Sequence, residues 1–216
     1  MLEKMDAFFE ARLEGYDTHM LTNIAGAREF YPFTAGCLPM EPGAAVLDLG
    51  CGTGLELDFY FAANPDAAIT GIDLSAGMLD ALAEKFPGKQ LNLIRGSYFD
   101  LPLGEACFDA AVSVESLHHF TQEEKAGLYR KLHGALREGG YFILTDYFAE
   151  EESFEISSRK ELLQLKAEQG LGDEDFYHYD TPLTVEHETQ ALKEGGFSRV
   201  TVLKNWGATY VLKAEK

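Results

Sequence analysis

Cysteine is scarce: Cys37, Cys51 and Cys107 are odd in number and widely spaced, which fits neither a disulfide framework nor a cysteine zinc site. Positive charge is scarce too. Eighteen Lys and Arg stand against 36 Asp and Glu, a net charge of −18, and no basic run interrupts the deficit. Phosphate backbones and anionic membrane surfaces are therefore repelled. No stretch approaches the roughly 18 apolar residues of a membrane helix. The opening Met1-Leu2-Glu3-Lys4-Met5-Asp6 carries acids and no long apolar core, so it does not read as a signal peptide. Repeats and low-complexity tracts are also absent. What remains is a 216-residue chain, 46% hydrophobic, suited to one globular domain and expected in the cytoplasm with no membrane partner.

The densest signal is Val46-Leu47-Asp48-Leu49-Gly50-Cys51-Gly52-Thr53-Gly54, a short buried strand running into a glycine-rich turn. Helix-forming residues from Leu55 to Ala63 follow, so the glycines sit at a strand-to-helix junction. Gly50 permits the sharp exit from the strand, Gly52 lets a ligand touch the backbone, and Gly54 lets the helix pack close. The free N–H groups of that helix face the turn with the positive end of its dipole. About twenty residues on, Ala68-Ile69-Thr70-Gly71-Ile72-Asp73 is a second apolar strand ending in an acid, placed to accept both hydroxyls of a ribose. Together these features define a nucleoside-binding site.

Around that centre the chain alternates strand and helix, the pattern of a parallel sheet covered on both faces. Residues 1–43 carry an amphipathic helix over 2–14 and an aromatic-rich stretch over 19–38, read as a helical cover or a lid. The nucleoside-binding core is placed at 44–148. Its second helix is capped by Ser75, and Thr121 with Glu124 forms a capping box for a helix that buries Leu128, Leu132 and Leu136 and ends at Gly139-Gly140. Strands are expected at 91–94, 108–114 and 141–145. Residues 149–216 hold a polar helix to about Glu168, a loop over 170–175, a helix over 184–194 and strands at 199–204 and 209–213. The link between these two strands is too short for a parallel crossover, so they form an antiparallel hairpin.

These residues resemble the class I S-adenosylmethionine (SAM)-dependent methyltransferases, and the resemblance covers most of the chain. Val46–Gly54 is similar to their first motif, Gly71-Ile72-Asp73-Leu74-Ser75 to the ribose strand, 96–102 to the adenine-side segment, and 108–120 to the fourth strand with its site loop. The resemblance implies a Rossmann-like, doubly wound seven-stranded sheet with an antiparallel C-terminal hairpin, and SAM as cofactor. It implies that Asp48, Gly50, Gly52 and Gly54 line the methionyl end, with Cys51 and Thr53 in the same turn. Asp73 would take the ribose, Leu74 and Met78 would flank the adenine, Ser97 and Tyr98 would lie on its other side, and Val114 completes the set. A dehydrogenase is the less favoured competitor: its third glycine would fall at Leu55, and it normally opens its fold, whereas some 45 residues precede this first strand. The tail also faintly resembles the carboxy-SAM synthases of wobble-uridine modification. Those enzymes draw an arginine from the helix matching 184–197, where this chain has none and carries three acids.

Methyl transfer is a displacement dominated by positioning, and only some acceptors require a base. The loop after the fourth strand, Ser113-Val114-Glu115-Ser116-Leu117-His118-His119-Phe120, lies where open sheets gather ligands. Glu115, His118 and His119 are the candidates there for orienting an acceptor or taking its proton, with Tyr16 as a further pocket residue. The alternative is that one histidine packs and the other is solvated at a helix start. Adjacent histidines make a poor metal pair, so no metal is expected. The loop lacks the Asn/Asp-Pro-Pro-Tyr signature of amide and amino-nitrogen methyltransferases. A small-molecule acceptor is expected and nucleic acid is not; oligomeric state is not legible. Gel shifts with bulk tRNA and duplex DNA at about 0.15 M salt, where screening acts over about 8 Å, should be blank. Binding with a steep salt slope would contradict the charge argument.

Overall fold

The computed structural model describes residues 1–172 and 175–216; of the loop expected over 170–175, Asp173 and Glu174 lie outside the described residues. Seven strands form one sheet in the order β3-β2-β1-β4-β5-β7-β6. They are β1 (Ala45–Leu49), β2 (Ala68–Asp73), β3 (Gln90–Arg95), β4 (Phe108–Val114), β5 (Leu136–Tyr147), β6 (Arg199–Trp206) and β7 (Thr209–Glu215). The first five run parallel, and β7 lies antiparallel between β5 and β6. The doubly wound sheet with its terminal hairpin is thus the one expected.

Alternation along β1 sends its side chains to two cores. Leu47 and Leu49 join the layer in which α6 (Gln122–Ala135) supplies Leu128, Tyr129 and Leu132 and α8 (Val185–Glu194) supplies Leu192. Val46 joins the opposite layer, with Phe30 and Tyr31 of α3 (Ala27–Gly36) and Leu57 and Tyr60 of α4 (Leu55–Ala63). Inside the first layer Lys125 donates to Glu188 at 2.6 Å and Tyr129 donates to the same carboxylate, tying α6 to α8. The caps are those expected: Ser75 accepts from Met78 N at the start of α5 (Ala76–Lys85), and Thr121 with Glu124 closes the capping box of α6.

The N-terminal segment divides. α3 belongs to the core, whereas α1 (Met5–Glu10) and α2 (Tyr16–Asn23) lie across the carboxyl ends of the strands. α1 is shorter than the expected 2–14, since Lys4 bridges Tyr177 before it and the chain turns at Gly15, φ +86°, after it. Glu10 then reaches the start of α5, accepting from Ser75 Oγ at 2.7 Å and Gly77 N at 3.1 Å. α7 (Glu152–Gln169) is the polar helix expected, and no helix among the described residues is long and apolar enough to cross a membrane.

One boundary differs. α6 stops at Ala135 rather than at Gly139-Gly140, and Leu136 opens β5 by pairing with Phe108. A bulge follows, in which a side chain on Gly140 would stand 3.1 Å from the carbonyl oxygen of Asp109. The glycines serve a close backbone approach inside a strand, which the sequence presents as a helix stop.

The turn after β1 packs against the loop after β4. Gly50 (φ +72°) would place a Cβ 2.0 Å from Ser116 Oγ, whereas Gly52 (φ +48°) faces open space. Alanine would be strained by the left-handed backbone at either position, so the difference between the two isolates the clash. Gly50→Ala should lose on the order of 1–3 kcal/mol by urea denaturation, more than Gly52→Ala, and Ser116→Gly should recover part of it. Equal losses for the two single variants would show that the approach of these loops is loose.

Candidate active site

The reversal of strand order between β1 and β4 opens a cleft at their carboxyl ends, where the glycine turn, the tip of β2 and the β4 loop meet. Asp73 ends β2 there, and its carboxylate accepts from Gly52 N and Ser75 N, both at 2.9 Å. Burial raises its pKa even against those hydrogen bonds. Leu74, Met78, Tyr98 and Val114 line the same cleft. Its other wall comes from the N-terminal segment: Met5, Phe9 and Tyr16. Thr53 Oγ1 donates to Asp17 at 2.5 Å, and Lys85 reaches Asp17 at 3.3 Å, holding the start of α2 over the turn. With Tyr16 in place the cleft encloses only about 50 Å³, below the roughly 300 Å³ of a small-ligand site.

Beneath the turn, Asp48 and Glu56 form a buried carboxyl pair in which Asp48 Oδ2 and Glu56 Oε1 have no hydrogen-bond partner. Burial, then the neighbouring Glu56 charge and hydrogen bond, push Asp48 well above the ordinary carboxylate range. One proton is shared and two polar atoms are unpaired, a costly arrangement that a cation would relieve.

Beyond Tyr16 lies a second cavity of about 860 Å³. Phe8, Phe9, Tyr147 and Trp206 give it aromatic walls, and Glu115, His118, His119, His178 and Asp180 give it a polar side. Phe9, Tyr16, Glu115 and His119 belong to both spaces, so these four form the partition. Glu115 sits at the end of β4 in a left-handed conformation, φ +50°, and accepts from Thr209 Oγ1 at 3.2 Å. Burial and then the Asp146 charge lift its pKa to about 7.

Asp146, near the end of β5, organises the loop. Its Oδ2 accepts from Leu117 N at 2.8 Å and its Oδ1 lies 2.5 Å from His118 Nδ1. Burial alone would lower His118, but the charge and hydrogen bond of Asp146, with Asp180 adding to them, raise it to about 10. His119 goes the other way: burial and the neighbouring His118 cation push it well below the usual imidazole value. Both rings are buried. The alternative that one packs and the other is solvated is not what forms; Asp146 and the loop around Asp180 enclose them both.

The profile of a methyltransferase-domain family matches residues 46–140, from the first strand through the glycine turn, the ribose strand and the β4 loop. That match is the one the resemblance to the class I SAM-dependent methyltransferases implies. An uncharacterized methyltransferase of Synechocystis is 32% identical over 124 residues, covering 57% of each chain. Phosphoethanolamine N-methyltransferase 3 of Arabidopsis thaliana is 34% identical over 113 residues, 51% of this chain and 22% of that enzyme. Human N-acetylserotonin methyltransferase, solved in complex with SAM, shares the fold at a TM-score of 0.67 and 16% identity, over 98% of this chain and 56% of that one. The chain spans about half or less of the length of such relatives.

The fold brings most of the sequence-predicted residues together. Gly50, Gly52, Asp73, Leu74, Met78, Tyr98, Val114, Glu115, His119 and Tyr16 line the cleft, and His118 lines the adjoining cavity. Asp48, Cys51 and Gly54 stand behind the turn: Cys51 Sγ packs towards Gly71, and Gly54 leaves room for Leu57, Leu82 and Phe86. Thr53 is spent on Asp17, and Ser97 accepts from its own neighbour Phe99 N at 3.1 Å rather than lining the cleft. The sequence reading missed Asp146, His178, Asp180 and Glu56. Asp146 was detectable as an acid ending a buried strand; His178 and Asp180 come from a loop with no local signature.

Because the folded-state pKa of Asp48 is raised, the fold without ligand holds a proton that the unfolded chain releases near the ordinary carboxyl range. Stability without ligand therefore falls as pH rises from that range through the raised value. Asp48→Asn should stabilise the ligand-free protein by on the order of 1 kcal/mol at neutral pH and flatten that slope in thermal melts. A destabilised, equally pH-sensitive variant would contradict the shared-proton account.

Proposed function

We propose that the chain transfers the methyl group of SAM to a small-molecule acceptor held in the 860 Å³ cavity. The observation that carries this reading is the partition: Phe9, Tyr16, Glu115 and His119 separate the glycine-turn cleft from the large cavity, so ligands on the two sides would meet at one wall. The cradle suits SAM. Asp73 would exchange Gly52 N for ribose hydroxyls, Leu74 and Met78 would flank the adenine, and the unpaired oxygens of Asp48 and Glu56 lie behind the turn where a methionyl ammonium belongs. Bound SAM supplies an electrophilic methyl and a positive charge. Glu115, at the partition and held by Thr209, orients the acceptor and takes its proton.

The aromatic walls and the net charge of −18 favour a flat or apolar acceptor over nucleic acid. The carboxy-SAM reading is not favoured: α8 packs against α6 and lines neither space, and the one arginine among the described residues that lines the cavity, Arg12, is held by Glu3 at 3.0 Å. A cleft of about 50 Å³ supports a lid role for α1 and α2, since Tyr16 must withdraw before a nucleoside enters.

Asp73→Ala should weaken SAM about ten- to a hundredfold by calorimetry, the loss of charge-assisted bonds of about 1.5–3 kcal/mol. Unchanged affinity would place the ribose elsewhere. Asp17→Ala, which frees Thr53 and leaves Lys85 to Asp58 alone, should speed SAM association in stopped-flow fluorescence; an unaltered rate would argue against the lid.

A further inference from the structure

We propose that His118, His119 and Asp180 form a site for one divalent transition-metal ion of the zinc and cobalt class, on the wall of the large cavity. One ligand atom from each residue lies within 4.8 Å of the other two. Asp180 Oδ1 is 3.5 Å from His118 Nε2 and 3.3 Å from His119 Nδ1. A tetrahedral ion with bonds of about 2.0–2.1 Å separates its ligands by roughly 3.3 Å, so these atoms already stand near the edges of such a figure.

The surroundings are those of a built site. His118 turns Nε2 towards Asp180 because Asp146 holds Nδ1 at 2.5 Å, and Asp146 is itself fixed by Leu117 N at 2.8 Å and Tyr147 N at 3.0 Å. A carboxylate behind one ring nitrogen, with the other nitrogen facing an ion, is how metal-binding histidines are oriented. Asp180 comes from a distant loop, and that loop is pinned beside the histidines by Thr181 N donating to His118 O at 2.9 Å. Adjacent histidines were a poor pair on sequence grounds. Here their ring centroids lie 4.0 Å apart and both rings reach one carboxylate, because the loop after β4 turns back on Asp146.

Two imidazoles and a carboxylate favour zinc, cobalt or nickel over magnesium or calcium. Binding displaces the proton on His118 Nε2, and His119, whose Nδ1 donates to Tyr179 O at 3.1 Å without metal, gives up that bond and carries its proton on Nε2, so that the Nδ1 lone pair faces the ion. Three protein ligands leave a fourth position open to the cavity, the arrangement of catalytic rather than structural sites. Water or an acceptor hydroxyl would fill it. Glu115 lies close by, within 4.8 Å of ligand atoms on His118 and Asp146.

The proposal is read by metal binding alone and does not depend on methyl transfer. Tag-free full-length protein, stripped by chelator, is titrated with Co2+ and followed by visible absorption. One equivalent should bind with the intense bands of four-coordinate cobalt, and Zn2+ but not Mg2+ should displace it. Asp180→Ala, at a half-exposed side chain tolerant of change, should weaken Co2+ at least tenfold, and His119→Ala should abolish the bands. Asp146→Asn should weaken it about 10- to 100-fold through the orientation of His118. Thermal midpoints without metal confirm that each variant folds. Failure to bind one equivalent of Co2+, or binding that Asp180→Ala and His119→Ala leave unchanged in folded protein, would overturn the site and leave the cluster as an ion-paired imidazolium.

Discussion

Five carboxyl groups crowd the carboxyl ends of the strands: Asp48 and Glu56 beneath the glycine turn, Asp73 at the tip of β2, Glu115 after β4 and Asp146 near the end of β5. Their pKa shifts record the strain, since burial raises Asp48, Glu56, Asp73 and Glu115 together. Buried negative charge is expensive unless a cation answers it. His118 answers part, set between Asp146 and Asp180. The remainder makes the site receptive to positively charged ligands, and SAM brings two positive centres, its sulfonium and its ammonium. The chain's deficit of basic residues therefore has a local counterpart in the cleft.

Seen this way, the scaffold and the chemistry depend on the same contacts. Gly50 lets the β4 loop approach the glycine turn, and that approach puts Glu115 at the partition. Asp146 holds Leu117 N and His118, so the loop's shape is set from the neighbouring strand rather than by its own sequence. The N-terminal segment adds the remaining wall through Phe9 and Tyr16, latched by Asp17 to Thr53. The result is a cleft at the glycine turn, a partition and a large cavity in series.

How much of this the sequence reveals depends on the range of the interactions. Short-range chemistry is legible: the helix Leu55–Ala63, the Ser75 cap, the Thr121–Glu124 box, the terminal hairpin and the meeting of the glycine turn with the tip of β2 all follow from residues within about twenty positions or from strand spacing. Leu136 fails because a helix stop and a bulge both call for glycine, and only the distant strand β4 decides between them. Ser97 fails because its hydroxyl turns to Phe99 N. Asp180 is some sixty residues from the histidines it meets, held there by its contacts with both rings and by Thr181 N donating to His118 O, and no local pattern encodes those contacts.

Calorimetry of the purified protein with SAM, S-adenosylhomocysteine and NAD tests the electrostatic account most directly. SAM, with its sulfonium charge, should bind tighter than the uncharged thioether product, by an amount that salt screening reduces only weakly in a buried site. NAD, with its anionic pyrophosphate, should show no heat. NAD binding as strong as that of SAM would contradict both the acid-lined cleft and the methyltransferase reading built on it.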